Sequence, residues 1–545
     1  MAGGLWLLGA LAASAAGAGP DSAEVCTEDG QCRPGGAAAA TPSSAHLWPH
    51  ARGRVGLYGA SPHAGPSNLS ASLSWTWQHP EGRYATTVLG HVQDDLMNIY
   101  LSAEDAVRKL SPDGQLLWTW QPGNGSISTC VSVMDGAVFG STIPGQAFAL
   151  SMEDGGLLWS VRVSHKIGGD TAYIEAHDGL VLLAVDGSDS GGNTRVLALN
   201  ASDGSRLWEF IPSTPVWNFM AVFDGNGSFI FQDYDAGVYH MRLATGELLW
   251  RSGRVGGRTW TDGGAILGNN AIVYAVSADG DQTKIHPDLG GGLHAYRLSD
   301  GELLWEQQLP RPGYTWPAVG QLRKGAGLSV VTGIGAMAGP PQAVMLMLSF
   351  VPCFCLVLLL RFVVWLACCC HGGCCRCLGS SCLWAALLGP LLTCAAVQAH
   401  GLRMRTAFGP SAEARGLGPS LACEVWAFDA ETGEVQWKVH LPAWRKFAAA
   451  GDAEGFFTRS WRKQRAVCMP AAFSSPTIDS MGTVYVGHMS GAFYAIRDAN
   501  EDGTIDPDTE VAMIDTGSAF LHPGPSIFPG MLTITSCDSL HVFKY

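Results

Sequence analysis

Residues 498–510 carry a dense set of oxygen donors. Asp498, Asn500 and Asp502 stand at positions 1, 3 and 5 of a short loop, Gly503 at position 6 permits a sharp turn, Thr504 offers a backbone carbonyl at position 7, and Asp506 follows. Hard oxygens at that spacing suit calcium. Position 12, where a bidentate acid should close the shell, is Thr509, with Glu510 one residue late. The loop joins two strand-like runs, 493–496 and 510–513, so calcium here would staple a β-structure; the alternative is an acidic turn that binds nothing. A second cluster is Cys368, Cys369, Cys370, His371, Cys374, Cys375 and Cys377. Thiols crowded beside an apolar run are candidates for reversible palmitoylation. Zinc also takes Cys/His pairs, but the side chains of adjacent cysteines diverge and make poor tetrahedral sets. An unmodified juxtamembrane loop is the third reading. No Ser/His/Asp or metal-hydrolase spacing points to other chemistry.

Around these groups the chain is large and turn-rich. Its 545 residues are 47% hydrophobic, with 69 Gly, enough to bury a large core in a β protein. A net charge of −14 argues against a phosphate-tracking groove, so no nucleic-acid partner is expected.

The organising stretch is 427–437, Ala-Phe-Asp-Ala-Glu-Thr-Gly-Glu-Val-Gln-Trp, a strand, a tight turn and a second strand. Thr432-Gly433, like the Asp-Gly pairs elsewhere, supplies the positive φ of a hairpin turn. Weaker copies keep a Gly four residues before Trp118, Trp159, Trp208, Trp250 and Trp305. From Trp118 to Trp305 these are 41, 49, 42 and 55 positions apart, close to the ~40 to 45 residues of a propeller blade. Further apolar runs upstream of most hairpins make each repeat about four strands. The run 74–78 is an outer strand with no blade before it, and 531–545 holds inner strands with no outer strand after them, so the chain ends together complete one blade. Outer strands at Trp77, Trp118, Trp159, Trp208, Trp250, Trp305, Trp437 and Met513 predict an all-β, eight-bladed β-propeller of four-stranded blades.

The pattern Ala-x-Asp-x-x-x-Gly-x-x-x-Trp resembles the PQQ-like repeat of eight-bladed propellers, found in quinoprotein alcohol dehydrogenases and in the bacterial outer-membrane assembly lipoprotein BamB. Only 427–437 matches in full: Asn200, Ser151 and Arg297 replace the Asp in three copies, and Arg108 and His240 replace the Ala in two. The resemblance implies that the Ala and Trp dock neighbouring blades, which makes the Trp series core. It also implies, for the enzymes, the quinone PQQ beneath an adjacent Cys-Cys disulfide, a catalytic Asp, and calcium held by Glu, Asn and Asp in the channel. Here adjacent cysteines fall only near 368–375, while Cys130, Cys423, Cys468 and Cys537 stand singly, so PQQ has no visible seat.

The remaining segments set the compartment. Residues 1–20 have the shape of a secretory signal or N-terminal anchor, without the usual basic start. Residues 21–70, rich in Ala, Gly, Pro and Ser, read as a flexible lead-in, with Cys26 and Cys32 spaced for a small loop disulfide. The sequons Asn68, Asn124, Asn200 and Asn226 are candidate glycosylation sites in turn-like contexts. Blades fill 71–340 and 423–545. Between them, 341–400 contains the apolar runs 343–360 and 381–399, each long enough to span a bilayer, and 401–422 is a linker. The two runs predict a two-helix membrane hairpin inserted in the sixth blade, reaching the membrane through 343–399. Arg361 and Arg376 with no acid between them put the Cys-rich loop in the cytoplasm and the propeller in a luminal or extracellular space, within the secretory pathway or at the cell surface. The basic run 459–465 reads as a solvated loop or a contact for anionic head groups. The functional expectation is a membrane-tethered, non-catalytic scaffold binding a protein or small ligand at the mouth of the ring. The alternatives are a quinoprotein dehydrogenase and a luminal sensor signalling through the hairpin.

Overall fold

The computed structural model describes residues 48–545 apart from 169–172, 189–191, 254–258, 262, 280–288, 340 and 342–419, together with the backbone of two strands near the N terminus. The chain divides into a unit of residues 1–45 and a unit of 46–545. In the first, strands Glu24–Cys26 and Cys32–Pro34 form a hairpin whose register pairs Cys26 with Cys32. The 1–20 segment, the predicted hairpin at 343–399 and the cysteines from Cys368 to Cys377 lie outside the described residues. Among the described residues no helix is long and apolar enough to cross a membrane.

The second unit is an eight-bladed propeller. Blades 1 to 7 span 88–120, 132–162, 175–210, 222–252, 259–309, 318–444 and 477–515. Blade 8 combines Ser526–Phe528, Met531–Thr535 and Ser539–Lys544 with the distant strand Leu73–Gln78. That strand pairs with the last one through Leu540↔Trp77 and Val542↔Trp75, so strands from before blade 1 and after blade 7 share one sheet and the ring closes. Blade 5 departs from four strands: Thr259–Trp260 and Ala265–Leu267 both pair with Ile272–Asp279.

Burial follows position in the blade. The three inner strands are covered by neighbouring blades on both sides; Val88–Gln93, Ile99–Ala103 and Ala137–Ser141 are buried at every residue. The outer strand faces water on one side, and Leu157–Arg162 alternates exposed and half-buried positions after its first residue.

Antiparallel order gives the ring two chemically different faces. If each first strand runs upward, connections from first to second and from third to fourth strands emerge on one face, here the turn face. Connections from second to third strands, and the linkers to the next blade, emerge on the other, the linker face. The insertion at 336–420 separates strands Ser329–Gly335 and Leu421–Asp429, the second and third of blade 6. It therefore leaves and re-enters on the linker face.

One expectation fails here. The lead-in is not flexible to residue 70: 48–66 form an ordered strap, followed by a short helix, Leu69–Ser72, capped by Asn68.

Candidate functional site

The blades are joined by an indole relay on the turn face. Trp118 Nε1 donates to Met152 O (3.2 Å), Trp159 to Ala201 O (2.8 Å), Trp208 to Leu243 O (2.8 Å), Trp250 to Leu298 O (2.7 Å) and Trp305 to Ala430 O (3.1 Å). Each acceptor lies in the third-to-fourth-strand turn of the next blade. Within their own blades Trp159, Trp208, Trp305 and Trp437 face an alanine, as in Ala149↔Trp159 and Ala427↔Trp437, whereas Trp250 faces His240. The turn glycine has a double reason: φ is +74° at Gly155, and a Cβ there would lie 2.8 Å from the Trp118 ring.

Three details differ from the sequence reading. In blade 8 the docking indole is Trp75, bonded to Pro112 O (3.1 Å), not Trp77. Trp77 instead carries the Arg108 guanidinium 5.1 Å from its ring. Strand Leu73–Gln78 follows no hairpin turn, so counting from a Gly could not choose between two Trp at alternate positions. In blade 1 the partner of Trp118 is Lys109, not Arg108, because the turn is one residue shorter. At blade 6, Trp437 meets a longer loop that carries the pair Asp502-Gly503. Residues 498–510 stand where the short turn would be, and Trp437 lines a cavity of about 270 Å³ with Leu322, Arg323, Asp498 and Gly503.

The acidic loop folds around its own backbone. Asp498 accepts Asp502 N (3.1 Å) and Gly503 N (3.0 Å), Asn500 accepts Asp502 N (3.0 Å), and Asp502 accepts Thr504 N (2.8 Å). Glu510 accepts Ala499 N (2.7 Å) and Asp506 N (2.9 Å), while Asp506 accepts Asp508 N (3.0 Å) and the Thr509 hydroxyl (2.8 Å). The positive charge at the loop comes from Arg323 of blade 6, 2.6 Å from Asp498 Oδ2. Among the described residues no three His, Cys, Asp or Glu converge into a group that could hold a metal ion.

The ring's central passage is occupied by the strap, which reaches all eight blades. Trp48 bridges Gln93 of blade 1, Pro49 O accepts Val133 N of blade 2 (3.1 Å), and His50 Nε2 bonds Ala176 O of blade 3 (2.9 Å). Tyr58 Oη accepts Phe223 N of blade 4 (2.9 Å), and Gly56 borders Gly268 and Asn269 of blade 5. Arg52 Nη2 donates to Pro317 O of blade 6 (3.3 Å) and Pro476 O of blade 7 (2.7 Å), and Ser61 Oγ to Ile527 O of blade 8 (2.8 Å). Burial pushes His50 down to about 4, lowers Arg52 to about 9 and raises Glu175 well above the usual carboxylate range. Both Glu175 oxygens lack a hydrogen-bond partner. The Ser526–His91 contact (3.0 Å) is buried in the core, and His91 Nδ1, the nitrogen on which a triad's acid would sit, has no hydrogen-bond partner, so the pair lacks the third member of a hydrolytic triad. Cys130 and Cys423 are buried single thiols, and Cys468 is bonded to Cys537, 69 residues away. Among the described residues no two cysteines are adjacent in sequence.

On the linker face only the start of the basic run, 459–461, departs from a loop; 462–465 follow the helix as a turn with Arg462 and Lys463 exposed. Arg459 lies inside helix Asp452–Trp461, wholly buried and paired with Asp452 at 3.1 Å. Asp452 also accepts Cys468 N (2.6 Å) and Met469 N (2.9 Å), next to the disulfide. The sequons Asn68, Asn124 and Asn226 are exposed and Asn200 is half-buried at the end of strand Asn193–Asn200. Asn68, Asn200 and Asn226 lie toward the turn face; Asn124 sits in the linker between blades 1 and 2.

Residues 103–251 and 190–318 match the family model described as outer membrane protein assembly factor BamB. No curated protein matches the chain in sequence. Among solved structures, BamB from Moraxella catarrhalis is 12% identical, with a TM-score of 0.50 over 87% of this chain and 99% of that one. The quinohemoprotein alcohol dehydrogenase of Comamonas testosteroni is 12% identical, with a TM-score of 0.52 over 93% and 81%. The computationally designed Ika8 protein is 11% identical, with a TM-score of 0.50 over 87% and 98%. An assembly factor, an enzyme and a designed chain share this architecture, so it carries no function by itself. Over residues 103–318 the repeat matches the BamB family model, and the ring it belongs to is an eight-bladed β-propeller.

Proposed function

We propose that the chain is a non-catalytic propeller that serves as a binding or assembly scaffold, tethered to a membrane by the inserted segment and facing a luminal or extracellular space. The observation that carries this reading is the strap at 48–66. It fills the passage in which a ring of this kind would otherwise hold a small molecule, and it contacts every blade. Its outer surface and the adjoining turns of blades 5 to 7 border a cavity of about 360 Å³, open on the turn face. We place the partner there, over a mouth paved by the chain's own backbone. The compartment is supported by the Cys468–Cys537 bond, which suits an oxidising space. The exposed sequons and the basic loop between the two apolar runs support it too.

The test is chemical. Full-length protein, purified and titrated with PQQ and calcium, should show no stoichiometric quinone absorbance and no alcohol oxidation. One quinone bound per chain would replace the scaffold reading with that of a dehydrogenase.

A further inference from the structure

Helix Asp452–Trp461 is amphipathic in the wrong sense for a surface helix. Its buried stripe is Asp452, Gly455 and Arg459, while Phe457 and Trp461, four apart and therefore on one face, are 58% and 91% exposed. Trp461 is the most exposed large apolar side chain among the described residues. The arrangement is built in. The Arg459 guanidinium donates to Asp452 (3.1 Å) and to Gly451 O (2.7 Å), and a Cβ on Gly455 would lie 2.3 Å from it. Asp452 in turn holds the backbone beside Cys468, whose disulfide to Cys537 fixes the linker to blade 8. The aromatic pair is therefore held outward by a rigid base.

We propose that this helix is a foot resting on a lipid bilayer, with Phe457 and Trp461 in the interfacial layer and exposed Lys446, Arg462 and Lys463 at head-group phosphates. Indole rings favour that layer, and cations there meet anionic oxygens. Arg462 also pairs with exposed Glu81 at 2.5 Å, which leaves Lys463 and Lys446 as the freer cations. The position of the helix singles out a membrane over a soluble protein. It lies on the linker face, where the inserted segment leaves the ring, and Gly339, at that exit, donates to Phe447 O (2.7 Å), five residues before the helix begins. The inference rests on the tethering reading, because the apolar runs 343–360 and 381–399 would bring the bilayer to this rim.

The test uses the full chain in nanodiscs of phosphatidylcholine, with and without phosphatidylserine, containing a phosphatidylcholine with a head-group-level diazirine. After illumination, labelled peptides are mapped by mass spectrometry. The inference expects labels on 447–465 that increase with phosphatidylserine. In the double variant Phe457→Ala, Trp461→Ala they should fall at least ~5-fold, with unchanged Tm and unchanged labelling of 343–399. Labels on 343–399 with none on 447–465 would overturn the foot and leave the tether standing. Labels on 447–465 alone would overturn the tether. A dimer that the double variant dissolves, with 447–465 unlabelled, would assign the pair to self-association instead.

Discussion

Arg323 reaches across the boundary between blades 6 and 7 and places its guanidinium 2.6 Å from Asp498. At six other boundaries an indole joins the ring through a carbonyl; here an ion pair stands beside an indole that faces a cavity. Asp498 is 5% exposed, so removing its cation leaves a buried charge poorly paired. Arg323→Ala should destabilise the protein by about 1 to 3 kcal/mol in denaturant titration. Because the cation is supplied by the protein, a calcium chelator should leave the wild-type Tm unchanged. A chelator-induced fall would show that the loop binds calcium after all.

Trp75 and Trp77 look alike in sequence and differ in what they hold. Trp75 packs on Gly114 and donates to Pro112 O, closing blade 8 on blade 1. Trp75→Ala should lose part of the ~3 to 5 kcal/mol of a buried-aromatic truncation, and Trp77→Ala clearly less. Equal losses would contradict the assignment of the docking indole.

The Cys468–Cys537 bond closes a loop of 69 residues between the blade 6–7 linker and blade 8. Reduction, or Cys468→Ser, should cost roughly 2 to 5 kcal/mol of stability and increase hydrogen exchange in helix Asp452–Trp461. An unchanged melting curve under reductant would count against the bond.

Four buried histidines set the acid side of the stability profile. Burial pushes His50 and His541 down to about 4, and His91 and His488 down to about 3. Their folded values lie below the unfolded value near 6.5, so the unfolded chain binds more protons and stability falls as pH drops from 6.5 toward 4. Each contributes up to about 1.4 kcal/mol per pH unit in that window. Glu175, raised by burial, acts in the opposite sense: its contribution is present below about 4.5 and is lost as pH rises. Glu175→Gln should therefore gain in Tm relative to wild type between pH 4.5 and 7. A gain that does not depend on pH would rule out a titrating carboxyl.

The blade count, the closing strand and the position of the insertion were legible in the sequence because each depends on local signals: period-2 strands, a Gly of positive φ and a Trp at fixed spacing. The strap was not, because its bonds are made by backbone and isolated side chains to residues hundreds of positions away. His50 to Ala176 and Arg52 to Pro476 leave no trace in composition. The oxygen spacing at 498–510 was visible, but its counter-charge was not, since Arg323 lies 175 positions upstream. The basic run read as solvated because nothing local announces that Arg459 turns inward on Asp452. A helix with its charges inside and its aromatics outside defeats a rule built on the opposite pattern.

The proposed placement of the propeller across a membrane from the Cys-rich segment is tested most directly by glycan occupancy. The full chain, expressed in a host that glycosylates, should carry N-glycans at Asn68, Asn124 and Asn226, the exposed sequons, read peptide by peptide with and without glycosidase. All sequons unmodified, with 361–380 cleaved by protease added to the luminal or extracellular side of intact membranes, would place the ring in the cytoplasm and contradict the account.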